Sequence, residues 1–227
     1  MSDVSETAEA AAPTTGAVFR DAFRLLCILL EGSIPVDEGE GAEGFDRVFH
    51  GEKRAQAFVF YVCYPDYLAN RLLDLHDAGQ AGLLEKVGKI FAEDEPSVRL
   101  SKMIRWQRGA YFDLDNSLGV LSFYELIRPI QRTLPNLGSQ HDYLVGPKAA
   151  VFVQEAVKAQ PALAWYLERA RLAMKVGGLK SGHALKAEQY KFGEYEGTKH
   201  SGVIPSIADQ VKKRFEKAKA GDSSECH

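Results

Sequence analysis

A mostly α-helical fold carrying one small β-hairpin wing, an α+β arrangement, is predicted by three features of the sequence. Apolar residues recur at three- and four-residue spacing in successive blocks between Ala17 and Val176. Glycine and proline punctuate those blocks at Gly32, Pro35, Pro65, Gly79, Pro96 and Gly177. The rhythm changes once, after Tyr124, where residues 127–133 and 142–145 read as two short strands around the turn residues Pro135, Asn136 and Gly138.

Taken in order, residues 1–16 offer few apolar groups to offset ordering entropy and read as a disordered leader. Residues 17–31 place Val18, Phe19, Ala22, Phe23, Leu25, Leu26, Leu29 and Leu30 at helical spacing, which predicts a core helix. An acidic, glycine-rich loop follows over residues 36–44. Residues 52–63 are apolar almost without interruption and fit either a buried strand or a helix; we favour a helix ended by Pro65. Residues 66–78 put Leu68, Leu72 and Leu75 on one stripe, and Leu83, Leu84, Val87, Ile90 and Phe91 continue the rhythm until residues 94–96 break it.

Ser97 can cap a helix reaching to about Arg108, with Leu100, Met103, Ile104 and Trp106 on one side and Lys102, Arg105 and Arg108 on the other. A helix over residues 112–124 has Leu114, Leu118, Leu121 and Tyr124 as its apolar face. Beyond the hairpin, residues 148–159 and 161–176 return to helix, the latter closed by Gly177 and Gly178. A last amphipathic helix is expected over residues 206–218, with Ile207, Val211 and Phe215 aligned. These blocks suggest a helical lobe over residues 17–79, a module over 80–158, helices over 159–219 and a frayed tail over 220–227. The sequence leaves open whether residues 17–79 form a separate lobe.

Composition narrows the function classes. The 227 residues carry 28 Lys+Arg against 31 Asp+Glu, and a chain this long can bury a core without disulfide or metal staples. Cys27, Cys63 and Cys226 cannot make a disulfide framework, so a reducing cytoplasm is the expected compartment. The N-terminus lacks the basic and apolar regions of a secretory signal, and the longest apolar stretch, residues 57–64, is too short to span a bilayer, so no membrane partner is expected. Net charge is −10 over residues 1–95, +3 over 96–150 and +4 over 151–227, which is no strong nucleic-acid footprint.

Sequence motifs for common chemistry are missing. Residues 39–44 spell GxGxxG, but no strand precedes them and Asp37, Glu38, Glu40 and Glu43 would repel a pyrophosphate. No Walker loop, HExxH, CxxC or GxSxG occurs. The six histidines never fall at metal-ligand spacing, Asp74 and His76 diverge on their helix, and Asp113 and Asp115 diverge by about 200°. We therefore expect no enzyme, no cofactor and no bound metal.

Two resemblances add to this. The order of two helices, a strand, a turn-rich hairpin and a strand leading into a helix, with the phrases Leu118-Gly119-Val120-Leu121, Tyr124-Glu125-Leu126-Ile127 and Asp142-Tyr143-Leu144-Val145-Gly146-Pro147-Lys148, resembles a winged-helix domain over residues 80–158. Where such regulators usually have glycine after that lysine, Ala149 stands here. Together with these wing phrases, Tyr64-Pro65-Asp66-Tyr67-Leu68-Ala69 and the run from Met103 to Tyr111 resemble the small middle component of Lamassu-type three-gene anti-phage cassettes. That resemblance implies an accessory subunit bridging an SMC-like ATPase and a nuclease effector.

A winged helix normally lays the second helix of its helix-turn-helix pair in the major groove. Here that helix, residues 112–124, holds Asp113 and Asp115 and no Lys or Arg, so it would repel phosphates. We expect a protein-contacting surface, with Asp115 and Phe123 as candidate partner contacts and Trp165 and Tyr166 as candidates for a subunit or homo-oligomer contact. Arg99, Lys102, Arg105, Arg108, Arg128, Arg132 and Lys148 are the candidate DNA-backbone contacts. They underlie the alternative of a transcriptional regulator or a nonspecific DNA-binding subunit.

Overall fold

The computed structural model describes residues 15–37, 41–92, 114–134, 138–199 and 202–225. Helix α1 (Thr15–Gly32) leads into two short strands, β1 (Ile34–Pro35) and β2 (Arg47–His50). Helices α2 (Glu52–Cys63), α3 (Pro65–Asp77) and α4 (Leu83–Ala92) follow, then α5 (Asp115–Phe123) and the hairpin β3 (Ile127–Leu134) and β4 (Gly138–Val145). The chain continues through α6 (Pro147–Ala159), a 3-10 turn at Pro161–Leu163, α7 (Ala164–Gly177), α8 (Gly182–Tyr190), α9 (Gly193–Gly197) and α10 (Ala208–Glu225). This is the predicted class, mostly α with a small antiparallel sheet.

The ambiguous residues 52–63 form a helix whose last nine residues are buried on every side. Nine consecutive residues, Ala55 through Cys63, are buried, as α1, α3, α7 and α8 wrap around α2. Phe58, Phe60 and Tyr61 are fully buried there, and burying each such side chain contributes about 1.5–3 kcal/mol. Close approach of α7 depends on Gly177: a Cβ there would lie 2.3 Å from the Phe58 ring.

One continuous core joins Leu26 and Phe58 to Leu121, Tyr143, Val153, Ala170 and Val211. Residues 17–79 therefore complete the same core as the hairpin and the helices after it. Helix α1 is central, packing on α7, α5 and α2.

The sheet is larger than the two-stranded wing the pattern predicts. Its order is β1-β2-β4-β3, all antiparallel, with Val48 opposite Leu144 and Ile127 opposite Val145. β1 and β2 have two and four residues, too short for alternation to register beside the acidic loop. β4 begins at Gly138, four residues before the predicted start, because its first half is exposed and polar.

Other boundaries differ too. α1 begins at Thr15, inside the expected leader, and α10 runs to Glu225, through most of the expected tail. α8 was hidden by its polar composition, although Lys186 and Gln189 are buried in it. The helix expected from Ser97 to Arg108, and most of the leader, lie outside the described residues.

Candidate functional site

Helix α5 ends in a left-handed turn made by a residue other than glycine. Glu125 has φ 56°, its N–H donates to Ser122 O at 3.0 Å, and the Leu126 N–H donates to Leu121 O at 3.0 Å. This closes the helix and starts β3 at once. Leu121 and Leu126 are buried, whereas Phe123 and Tyr124, between them, are 80% and 50% exposed. Their rings meet edge to face at 5.2 Å.

An apolar groove of about 660 Å³ opens beside this turn, lined by Phe19 and Phe23 of α1, Leu121 of α5, Tyr124, Phe152 and Ala156 of α6, and Tyr166 of α7. Phe23 and Tyr166 form the floor, edge to face at 5.9 Å, and Phe23 meets Phe152 edge to face at 6.4 Å. Phe19 and Phe152 on the rim are about half exposed. Four helices thus hold open a concave surface with almost no polar groups, the profile of a protein-contact patch.

The candidate partner contacts divide around this groove. Phe123 does not line it but packs edge to face on Tyr124, which does, and Asp115 is exposed at the other end of α5. Tyr166 is buried and forms the floor, so it can meet a partner only through the groove. Trp165 is half-buried, edge-on to Tyr166 at 5.1 Å and beneath the Arg169 guanidinium at 4.9 Å, which makes it a packing residue of α7.

The three candidate cations among the described residues, Arg128, Arg132 and Lys148, each have a partner within the fold. Arg132 Nε lies 2.8 Å from the carboxylate of Asp142, which is wholly buried. The same carboxylate accepts hydrogen bonds from His50 Nδ1 at 2.8 Å, the Gly51 N–H at 2.9 Å and Gln140 Nε2 at 2.6 Å. Burial pushes the Asp142 carboxyl upward, but those hydrogen bonds and the His50 charge outweigh it and hold it below its ordinary range. Arg128 lies over the Phe45 ring at 4.6 Å, and Lys148 pairs with Glu125 at 3.2 Å on the surface. Arg99, Lys102, Arg105 and Arg108 lie outside the described residues.

The buried acid and its ring of partners escaped sequence reasoning, because Asp142 and His50 are 92 residues apart. Sequence spacing also concealed that His50, His141 and His183 line one polar cleft. Among the described residues, no group of three His, Cys, Asp or Glu side chains is arranged to hold a metal ion, and no helix is long and apolar enough to cross a membrane. Compared with known proteins, the chain matches no family model, no curated protein and no solved structure.

Proposed function

We propose that the protein is a non-enzymatic adaptor subunit that grips a partner polypeptide with the end of α5 and the apolar groove beside it. The observation that carries this reading is Phe123, four-fifths exposed beside a groove of about 660 Å³ walled by four helices. An exposed aromatic pair next to an open apolar cavity is a surface that gains by being covered. Aromatic anchors seated beside such cavities carry most of the energy in protein interfaces. The occupant that fits is an apolar helix or loop of the partner, since the walls offer little to a charged segment.

Electrostatics favours a protein over a nucleic acid at this surface. α5 has the exposed Asp115 and no Lys or Arg, and binding driven by phosphates needs cations free to displace counterions. Arg132 commits its charge to Asp142, and Lys148 has Glu125. The winged-helix reading is supported by the succession α5, β3, β4, α6, with the short β2 added beside β4.

The resemblance of the phrase from Tyr64 to Ala69 and of the run from Met103 to Tyr111 supplies the setting: an anti-phage complex of an SMC-like ATPase and a nuclease effector. Co-expression with the products of the neighbouring genes tests it. The adaptor reading expects stable co-purification with the ATPase, and no shift of duplex DNA by the isolated subunit at moderate salt. Tight, sequence-selective DNA binding by the subunit alone, weakened by changes in α5, would replace it with the regulator reading.

A further inference from the structure

At the other end of α1 from the apolar groove lies a second cleft, of about 770 Å³, where the start of α2, the β3–β4 hairpin and the loop between α7 and α8 meet. Its walls bring together Lys53, Arg54, Lys180, His50, His141 and His183, and the Ser139 and Ser181 hydroxyls add further donors. These residues come from three segments spread over about 130 positions, so no single solvated helix face explains their convergence. Gly182 permits it: a Cβ at that position would lie 2.4 Å from the Arg54 amide nitrogen, so only glycine lets the start of α8 press against the start of α2.

The acids of this region are occupied. Glu52 lies 3.3 Å from His141 and accepts from Gln56 at 2.9 Å. Asp142 is buried among His50, Arg132, Gln140 and the Gly51 amide. Glu188 is shared between Lys180 at 2.7 Å and Arg71 at 2.8 Å. Among the described residues no ion pair reaches Lys53 or Arg54. Arg54 instead spreads its guanidinium over Phe49 and Phe58 at 5.4 and 5.2 Å. In adjoining α8 the Lys186 ammonium is shifted down, by burial first and then by the charge of Lys53, with Glu52 opposing.

The mouth of the cleft is different in character. Ile34 and Leu179 are large, exposed and apolar, and Leu134 completes the lip. Cations and exposed apolar groups side by side in one cleft suit a ligand with a compact anion on a flat, weakly polar body. Donors converging from several directions favour the three terminal oxygens and double charge of a phosphate monoester over the two oxygens and single charge of a carboxylate.

We infer that this cleft binds a terminal phosphate monoester of a nucleotide, carried by a mononucleotide or by the 5′-phosphorylated end of a strand. Lys53 and His183 hold the phosphate together with Lys180, which the phosphate shares with Glu188, and Ile34 and Leu179 flank the adjoining base. The inference stands apart from the adaptor reading, which concerns the other end of α1.

Calorimetric titration of the full chain tests it with adenosine 5′-monophosphate, adenosine, and a short oligothymidylate with and without its 5′ phosphate. The expected result is binding of the monophosphate and not of the nucleoside, weakened about tenfold in Lys53→Glu and about a hundredfold in Lys53→Glu/Lys180→Glu, at about one factor of ten for each ammonium removed. Lys53→Glu alone, at an exposed position, serves if the double variant does not fold. Binding of the phosphorylated strand alone identifies a strand end as the source. Binding of both phosphorylated probes identifies the monoester itself. Equal binding with and without the phosphate, binding unchanged in Lys53→Glu, or no binding of either phosphorylated probe would overturn the inference.

Discussion

Arg132 and Asp142 meet diagonally across the hairpin: Arg132 is in register with Gln140, and its Nε reaches two residues further along β4 to the buried Asp142 carboxylate at 2.8 Å. Diagonal neighbours in an antiparallel pair are within reach of a long side chain. The consequence is that a charge expected to face solvent, as a candidate phosphate contact, is committed to the fold. His50 and the Gly51 amide contact the same carboxylate, so this one acid fastens β2, the start of α2 and both strands of the hairpin.

Replacing Asp142 by Ala should therefore cost about 3 kcal/mol, the lower end for breaking a buried ion pair, because Arg132 and His50 keep some access to water. The pH dependence has a definite sign. A carboxyl held below its ordinary range in the folded state contributes stability that is present above about pH 4 and is lost as pH falls below it. Denaturant titrations of the wild type and Asp142→Asn across the acid range check this. The variant should be less stable at neutral pH, and the gap should narrow on acidification. A constant gap would remove the linkage.

Glu125 gives a prediction of opposite sign. A left-handed conformation costs an L residue about 1–2 kcal/mol, and glycine avoids that cost. Glu125→Gly forfeits only an exposed pair with Lys148, worth about 0–1 kcal/mol. The variant should be stabilised by about 0.5–1 kcal/mol, raising the thermal midpoint by about 1–4 °C for a chain of this length. A lower midpoint would mean that the Glu125 side chain contributes through another contact.

The Cys27 thiol is pushed up to about 12, by burial first and then by the negative charge of Glu31. Mass-spectrometric mapping after iodoacetamide treatment near pH 8 should find Cys27 unmodified in the native protein and alkylated in denaturant. Alkylation in buffer at a rate comparable to a free thiol would show that α1 opens locally.

How far the sequence could be read depends on how far apart the interacting residues lie. Helices with one apolar stripe, such as α1 and α3, announced themselves, because periodicity is a local property. α2 was harder: a helix apolar on all sides carries no stripe, so the expectation of a helix there rested on Pro65 ending it, and four neighbouring helices surround Ala55 through Cys63. α8 was missed for the opposite reason, since Lys186 and Gln189 read as surface residues although the Gln189 amide is buried and donates to Ala57 O at 3.1 Å. At the sites, Phe123 was legible as an exposed aromatic on a helix poor in cations. The groove beside it was not, because Phe19, Phe152 and Tyr166 converge only through tertiary packing.

The groove and the exposed aromatic can be separated experimentally. Phe123→Ser removes an exposed ring and should change stability by less than about 0.5 kcal/mol. As an interface anchor, however, it should weaken the partner complex by about 2 kcal/mol, close to thirtyfold. Ala156→Trp acts from inside: Ala156 is half-buried on the groove wall, and an indole there would fill the space that a partner side chain needs. Lys158→Glu, exposed on the same helix, tests whether any change on α6 would do the same. Loss of the complex in Phe123→Ser and Ala156→Trp, with Lys158→Glu retaining it, places the partner in the groove. Loss in Phe123→Ser alone confines the contact to the end of α5, because a filled groove that still binds cannot be the seat of the partner.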